Sequence, residues 1–203
     1  SDLKIMTTTT KKTTTKAKTI KAKAPSIPNL PVNPFVFEVF DACSKQRTKA
    51  KKIEVLQRYA HDSVMAVLIW NFDESIISLL PEGEVPYGNT REDNSVTGSL
   101  SDKINDAVGM MRESGSSSLG SQDQGKASIR AEYTKFYNFL KGGNSGLSNL
   151  RRETMFINIL EGLHPLEAEI LILVKDKKLT DKYKITKDVV SAAYPQITWG
   201  GRS

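Results

Sequence analysis

The residues best suited to chemistry are few and widely separated. The chain has two histidines, His61 and His164, and one cysteine, Cys43. Glu161 precedes His164 by three positions, a spacing found on the helices of carboxylate-bridged di-iron sites, which need a second such pair. Arg58 occupies the matching position before His61. The spacing therefore excludes a paired di-iron site.

Other metal and nucleophile patterns are also incomplete. His61-Asp62 matches the dipeptide of HD phosphohydrolases, whose sites need further histidines that this chain lacks. Cys43, His61 and His164 have no spacing that supports a zinc site. Cys43 follows an apolar helix face, so we expect a buried, inert thiol rather than a nucleophile. We therefore expect no catalytic residue, no metal and no cofactor.

Two loops have ligand-binding alternatives. The glycine-rich stretch at 141–146 precedes a helix, but it lacks the phosphate-loop spacing and no strand leads into it. We interpret it as a helix–helix turn. The turn at 81–87 holds Glu82 and Glu84 between prolines. No base or metal partner is evident for these carboxylates, so a contact loop is favoured over acid–base chemistry.

Positive charge is concentrated at the start of the chain. Residues 1–34 contain seven lysines and one aspartate, whereas residues 35–203 contain 22 basic and 22 acidic side chains. A basic segment on a neutral domain favours a polyanionic partner such as DNA or RNA, an anionic surface or an acidic protein.

The candidate nucleic-acid-binding side chains form two groups. Six lysines belong to the basic segment, and five basic residues form a second cluster at 45–52. The full set is Lys11, Lys12, Lys16, Lys18, Lys21, Lys23, Lys45, Arg47, Lys49, Lys51 and Lys52. A solvated helix face is the alternative interpretation of the second cluster.

Composition predicts two parts, residues 1–34 and a domain at 35–203. Residues 7–23 are Thr, Lys and Ala with a single Ile, which predicts a disordered arm. Prolines then recur every three residues from Pro25 to Pro34, the period of polyproline II, and predict a stiff spacer. A ligand for a polyproline-binding domain would also need a basic residue where Ala22 stands. We expect Met6 to be the natural start.

Apolar residues at helical spacing predict a single all-α domain of about seven helices. The helix around Trp70 is apolar on nearly every side, so Trp70 and Phe72 are expected in the core. Asp73 is expected to begin a further short helix. Glu167 and Glu169 suit the N-terminal end of a helix at 165–175 through its dipole, and Lys175, Lys177 and Lys178 suit its C-terminal end. No apolar run is long enough to cross a bilayer, so we expect no membrane contact.

Residues 88–128 are rich in Ser, Gly, Asn and Asp, which predicts a mobile insertion. Within it, Ser99 and Asp102 resemble a capping box and precede an apolar stripe, so we expect a helix at 101–112. Three alternatives remain for this helix: it docks on the domain, docks on a partner, or forms only part of the time.

Three strings are distinctive: LLPEGEVPY from Leu79, FLKGGN from Phe139 and ETMFINILEGLHPLEA from Glu153. Through them the chain resembles a family of small proteins without established activity from T4-like tailed phages, especially those of cyanobacteria and other marine bacteria. The resemblance covers roughly 35–87 and 129–199. It implies a phage protein in the host bacterial cytoplasm, with a virion location as the alternative, and assigns no catalytic residue. The arm and the insertion look longer here than is usual in that family.

These patterns predict a non-enzymatic phage accessory protein that binds a macromolecule, with the arm contacting nucleic acid nonspecifically. One alternative is a host-takeover adaptor that binds a bacterial protein through the 81–87 turn and the 101–112 helix. A minor virion component is another alternative, because a basic arm could contact packaged genome. An enzyme is disfavoured by the incomplete residue sets.

Overall fold

The computed structural model describes residues 27–86, 99–114 and 127–203. In these ranges the helices are α1 (Val36–Ser44), α2 (Lys49–Arg58), α3 (Asp62–Phe72), α4 (Leu100–Ser114), α5 (Ile129–Glu132), α6 (Asn149–Gly162), α7 (Pro165–Lys175) and α8 (Lys187–Ala193), with 3₁₀ helices at Tyr133–Phe139 and Leu179–Asp181. The described residues form no strand beyond three isolated β-bridges, which confirms the all-α prediction for them. The arm predicted at 7–23 lies outside the described residues.

Helices α3 and α7 form the centre of the core. The apolar side chains of α7 at Ala168, Ile170, Leu171 and Val174 are fully buried. Around this helix pack α1, α3, α4 and α6. None of the described helices combines the length and the apolar character that a membrane span requires.

Trp70 is buried as predicted, with 1% of its surface exposed, whereas Phe72 is only partly buried. The indole ring contacts the rings of Phe136 and Phe139. Its Nε1–H donates to Ser78 Oγ at 2.8 Å, and that hydroxyl donates to the carbonyl oxygen of Lys175 at 2.8 Å. The ring therefore links α3 to the end of α7.

The prediction of a short helix after Asp73 is wrong. The Asp73 carboxylate accepts hydrogen bonds from the amide and the hydroxyl of Ser75, so the side chain turns the backbone out of the helix. Ser78 then pairs with Leu140 in an antiparallel β-bridge. The apolar residues of this segment alternate, with Ile76 buried and Ile77 exposed, so period two describes them better than period 3.6.

Helix α4 docks on the domain, which decides between the three alternatives. Leu100, Ile104 and Val108 are buried, and α4 packs along α7. Ser99 Oγ accepts the Asp102 amide at 3.0 Å, as the capping pattern predicts. The apolar side of α4 therefore belongs to the core, within the stretch at 88–128 that the sequence predicts to be a mobile insertion. The remainder of that insertion at 88–98 and 115–126 lies outside the described residues.

Residues 27–34 also belong to the domain. Ile27 is buried, and the Tyr59 hydroxyl accepts the Leu30 amide at 2.9 Å and donates to the Pro28 carbonyl at 2.8 Å. Arg130 Nε–H donates to the Pro34 carbonyl at 3.3 Å. Side chains of the domain therefore contact the backbone of this part of the predicted spacer.

The glycine-rich loop before α6 is held by a buried arginine. The guanidinium of Arg152 donates to the carbonyl oxygens of Asn138 at 2.8 Å, Leu147 at 3.0 Å and Asn144 at 3.4 Å. It also donates to the Asn149 side chain at 2.6 Å. These bonds hold the loop closed, which confirms the interpretation of the stretch as a helix–helix turn.

Trp70→Ala should lower the free energy of unfolding by about 3–5 kcal/mol, because it leaves a cavity in the core. Trp70→Phe keeps an aromatic ring but removes the donor to Ser78, so it should cost about 1–2 kcal/mol. Urea unfolding of both variants measures this. A Trp70→Ala protein as stable as the unchanged chain would contradict the assigned core.

Gly143→Ala should also destabilise the fold. A Cβ atom there would lie 1.8 Å from the Tyr137 carbonyl oxygen, so the backbone must move, at a cost of about 1–3 kcal/mol. Gly146→Ala is the matched control. The distance from its Cβ to the nearest atom, Asn144 Oδ1, would be 3.8 Å, an ordinary van der Waals contact. Equal unfolding midpoints for the two variants would show that the close approach is not present.

Candidate nucleic-acid interface

The basic cluster at 45–52 surrounds the turn between α1 and α2. Lys45 is the C-cap of α1, and Arg47 lies in the turn. Lys49 and Lys51 lie in the first turn of α2, followed by Lys52. The other six candidates, the lysines between 11 and 23, lie outside the described residues.

The start of α2 concentrates positive charge. Its N-cap Thr48 accepts the Lys51 amide at 3.2 Å, and the first turn contains no acidic residue. The unpaired amides of a helix N-terminus carry partial positive charge, so nearby lysines raise the local electrostatic free energy and a bound anion lowers it. This arrangement is suited to phosphate.

Three members of the cluster already have partners. Lys45 pairs with Asp41 at 2.9 Å, and Lys51 lies 3.5 Å from Glu54. Lys52 donates its Nζ hydrogen to the carbonyl oxygen of Lys184.

The remaining two cations of the cluster, Arg47 and Lys49, are exposed. No acidic side chain among the described residues pairs with either of them. They therefore hold the unneutralised charge of the cluster.

Lys184 also lies on this surface, although the sequence around it does not indicate this position. Its amide donates to Ser44 Oγ at 2.9 Å, and its carbonyl accepts from Lys52. The segment before α8 is thereby placed against the α1–α2 turn, with Lys184 exposed. Only the tertiary contact shows that residues 132 positions apart share one surface.

Aromatic stacking is not available from the nearest aromatic residue. Tyr59 uses its hydroxyl to hold residues 27–34, and the Arg58 guanidinium lies 5.5 Å from its ring centroid. Base stacking needs an open ring face. The geometry therefore favours contact with phosphates, which position a nucleic acid without reading its sequence.

The residues with possible catalytic or metal-binding chemistry have structural roles. Cys43 is buried as predicted, and burial raises the pKa of its thiol to about 12. His61 Nδ1 accepts the Ser63 amide at 3.0 Å and caps α3, and His164 Nδ1 accepts the Leu166 amide at 3.1 Å and caps α7. Across the described ranges, no three His, Cys, Asp or Glu side chains are grouped so as to hold a metal ion.

An open groove of about 570 Å³ lies beside Lys45. Phe37, Leu166 and Tyr183 contribute apolar surface, and side chains of both signs line it, including Asp41 and Lys182. The mixed charge does not favour a phosphate ligand, which distinguishes this groove from the α1–α2 turn.

A buried lysine holds the backbone of the turn at 81–86. This turn is the candidate contact of an adaptor. Lys175 Nζ donates to the carbonyl oxygens of Pro81 at 2.8 Å and Gly83 at 2.9 Å, and to Asp176 Oδ1 at 2.8 Å. Asp176 Oδ2 in turn accepts the Gly83 amide at 3.1 Å. Gly83 has a φ of +92°, which favours glycine at this position.

This fixation leaves the turn's acidic side chains at the surface. Both Glu82 and Glu84 are exposed. The turn is therefore a rigid, acidic surface feature. The other half of the expected adaptor surface, the apolar stripe of α4, is buried against the domain.

Lys175→Met should free this turn, because two carbonyl groups and Asp176 lose their donor. We expect a loss of about 2 kcal/mol in unfolding free energy and faster proteolytic cleavage at 81–86. Lys178→Met is the control, since Lys178 is exposed. Equal cleavage rates in the two variants would show that Lys175 does not hold the turn.

The comparison with known proteins places the chain in a family but not in a functional class. No curated protein and no solved structure shows significant similarity to it. A model of a family of unknown function, DUF6433, matches residues 39–107 and 116–181. The match includes the basic cluster at 45–52 and most of the stretch at 88–128, and it begins after the arm. With more than half of its residues matched, the chain belongs to the DUF6433 family.

Proposed function

We propose that this protein is a non-enzymatic phage accessory protein that binds DNA or RNA nonspecifically. The surface around Arg47 and Lys49 contacts phosphates, and the lysines between 11 and 23 add further phosphate contacts. The protein acts in the host bacterial cytoplasm during infection. The phage context follows from the resemblance carried by the three distinctive strings.

One observation carries the proposed nucleic-acid contact. The first turn of α2 combines a helix N-terminus with basic side chains and contains no acidic residue. Cations at that end of a helix are unfavourable in the free protein, and a phosphate relieves the repulsion. The charge of Arg47 and Lys49 is thus available to an external anion.

The adaptor is the second candidate function, and the turn at 81–86 favours it. Lys175 and Asp176 hold this turn in one conformation, which lowers the entropy cost of binding a protein partner. Its exposed Glu82 and Glu84 suit a basic partner. Leu100, Ile104 and Val108 of α4 are buried, so such an adaptor would rely mainly on this turn.

Binding to a labelled duplex DNA and to single-stranded RNA at 50 and 200 mM salt tests the proposal. We compare the full chain, a deletion of residues 1–24, the double variant Arg47→Glu/Lys49→Glu, and the control Arg151→Glu/Lys178→Glu. The control has the same change of net charge at exposed positions of α6 and after α7.

Affinity should fall with salt, with a log–log slope of about −0.9 per phosphate neutralised. Deleting 1–24 should remove most of the binding and flatten the slope. Arg47→Glu/Lys49→Glu should reduce the slope by about 2 units, roughly one for each lost contact, while the control stays near the full chain. If the two double variants bind alike, the α1–α2 surface is not the interface. If the full chain binds neither nucleic acid, the adaptor takes the place of this proposal.

A further inference from the structure

A buried carboxyl group joins the starts of three helices. Glu167 lies in the first turn of α7 and is fully buried. Its Oε2 accepts the Phe37 amide of α1 at 3.0 Å, and its Oε1 accepts the Ile129 amide of α5 at 3.1 Å. The Val36 amide also lowers the pKa of this carboxyl group. One side chain thus accepts backbone hydrogen bonds from two other helices.

The carboxylate has amide partners but no cation. In the described part of the chain no Lys or Arg pairs with Glu167. Burial raises the pKa of this group to about 7, although the three amides lower it. Its protonation therefore falls near neutral pH.

The other titratable and charged groups around Glu167 come from each neighbouring element. On α1, Glu38 raises the pKa of Glu167 by repulsion, and it accepts the Phe35 amide. On its own helix, His164 has Nδ1 engaged by the Leu166 amide.

The charged groups of α5 are engaged elsewhere, and the tyrosine at 183 is neutral. On α5, Arg130 donates to Pro34, and Glu132 pairs with Lys135. Tyr183, whose own pKa Glu167 helps to raise, is neutral near pH 7. None of these groups supplies Glu167 with a countercharge.

We propose that Glu167 is a proton-controlled clasp, in which protonation of the carboxyl group releases the Ile129 amide and loosens the start of α5 while α1 stays bound. A carboxylic acid carries a hydrogen on one oxygen, and that oxygen no longer faces an N–H donor favourably. Two amides of α1 favour the charged carboxyl group and α5 supplies one, so the proton is placed at Oε1, opposite Ile129.

Loosening α5 also reaches the start of the domain. Arg130 on α5 holds the Pro34 carbonyl. When the Ile129 amide is released, this attachment of residues 27–34 weakens as well. The clasp therefore makes the anchoring of the segment that leads to the basic arm depend on pH.

The same proton has a defined effect on global stability. The unfolded side chain has an ordinary glutamate pKa of about 4.3, below that of the folded chain. Between these values the folded state binds the proton more tightly, so the unfolding free energy should decrease as pH rises from about 4.5 to about 7. With Glu167 charged, the protein thus has the lower unfolding free energy, whereas the start of α5 is better ordered.

Amide resonances and hydrogen-exchange protection of the full chain, followed from pH 5 to pH 9, test the clasp. The Ile129 amide should titrate with a midpoint between about 6 and 8. Its protection should fall about tenfold below that midpoint, the effect of one lost hydrogen bond, while Phe37 keeps its protection. Glu167→Gln should abolish the titration, and the control Glu161→Gln, at an exposed position, should preserve it.

Three results would overturn the proposal: an Ile129 midpoint below pH 5, a titration that survives in Glu167→Gln and so belongs to another group, or equal loss of protection at Phe37 and Ile129. If Glu167→Gln does not fold, the unfolding free energy of the unchanged chain and of Glu161→Gln is measured in urea at each pH instead. Stability that falls between pH 5 and 7 in both supports the clasp, and flat or rising stability over that range contradicts it.

Discussion

The fold depends on α7, a buried helix with a charged residue inside the protein at each end. Glu167 near its start accepts backbone amides, and Lys175 at its end donates to backbone carbonyls. Each charge meets the backbone partial charge of opposite sign, which lowers the cost of burial. Lys175 also pairs with Asp176, whereas no Lys or Arg of the described residues pairs with Glu167. The starts of α1 and α5 and the turn at 81–86 are placed by these contacts.

Arg152 acts in the same way on the loop before α6. The three buried charges lie in or contact the regions of the three distinctive strings. LLPEGEVPY contains the turn that Lys175 holds, FLKGGN contains part of the loop that Arg152 holds, and the last string begins one residue after Arg152 and contains Glu167. The first two strings cover irregular backbone that these side chains hold, whereas the last is helical except between α6 and α7.

The sequence predicts the helices well because burial of an apolar stripe is a local, periodic signal. The helix around Trp70 and the helices predicted at 101–112 and 165–175 follow it. The helix prediction after Asp73 is wrong because the Asp73 side chain accepts a backbone amide there and so competes with helical hydrogen bonds. From the sequence alone, Glu167 and Lys175 are interpreted only through the dipole of their own helix. Their hydrogen-bond partners lie up to 130 positions away in the chain.

The candidate interface shows the same division between local and distant information. Basic composition marks the residues at 45–52, but only the fold separates Lys52, which binds a carbonyl, from Arg47 and Lys49, and only the fold adds Lys184. The family match begins at residue 39, so it contains the α1–α2 turn and leaves the arm outside. A nucleic-acid contact shared across the family would therefore rest on the turn. In this chain the lysines between 11 and 23 would add further positive charge to such a contact, and charge on phosphates adds affinity without reading sequence.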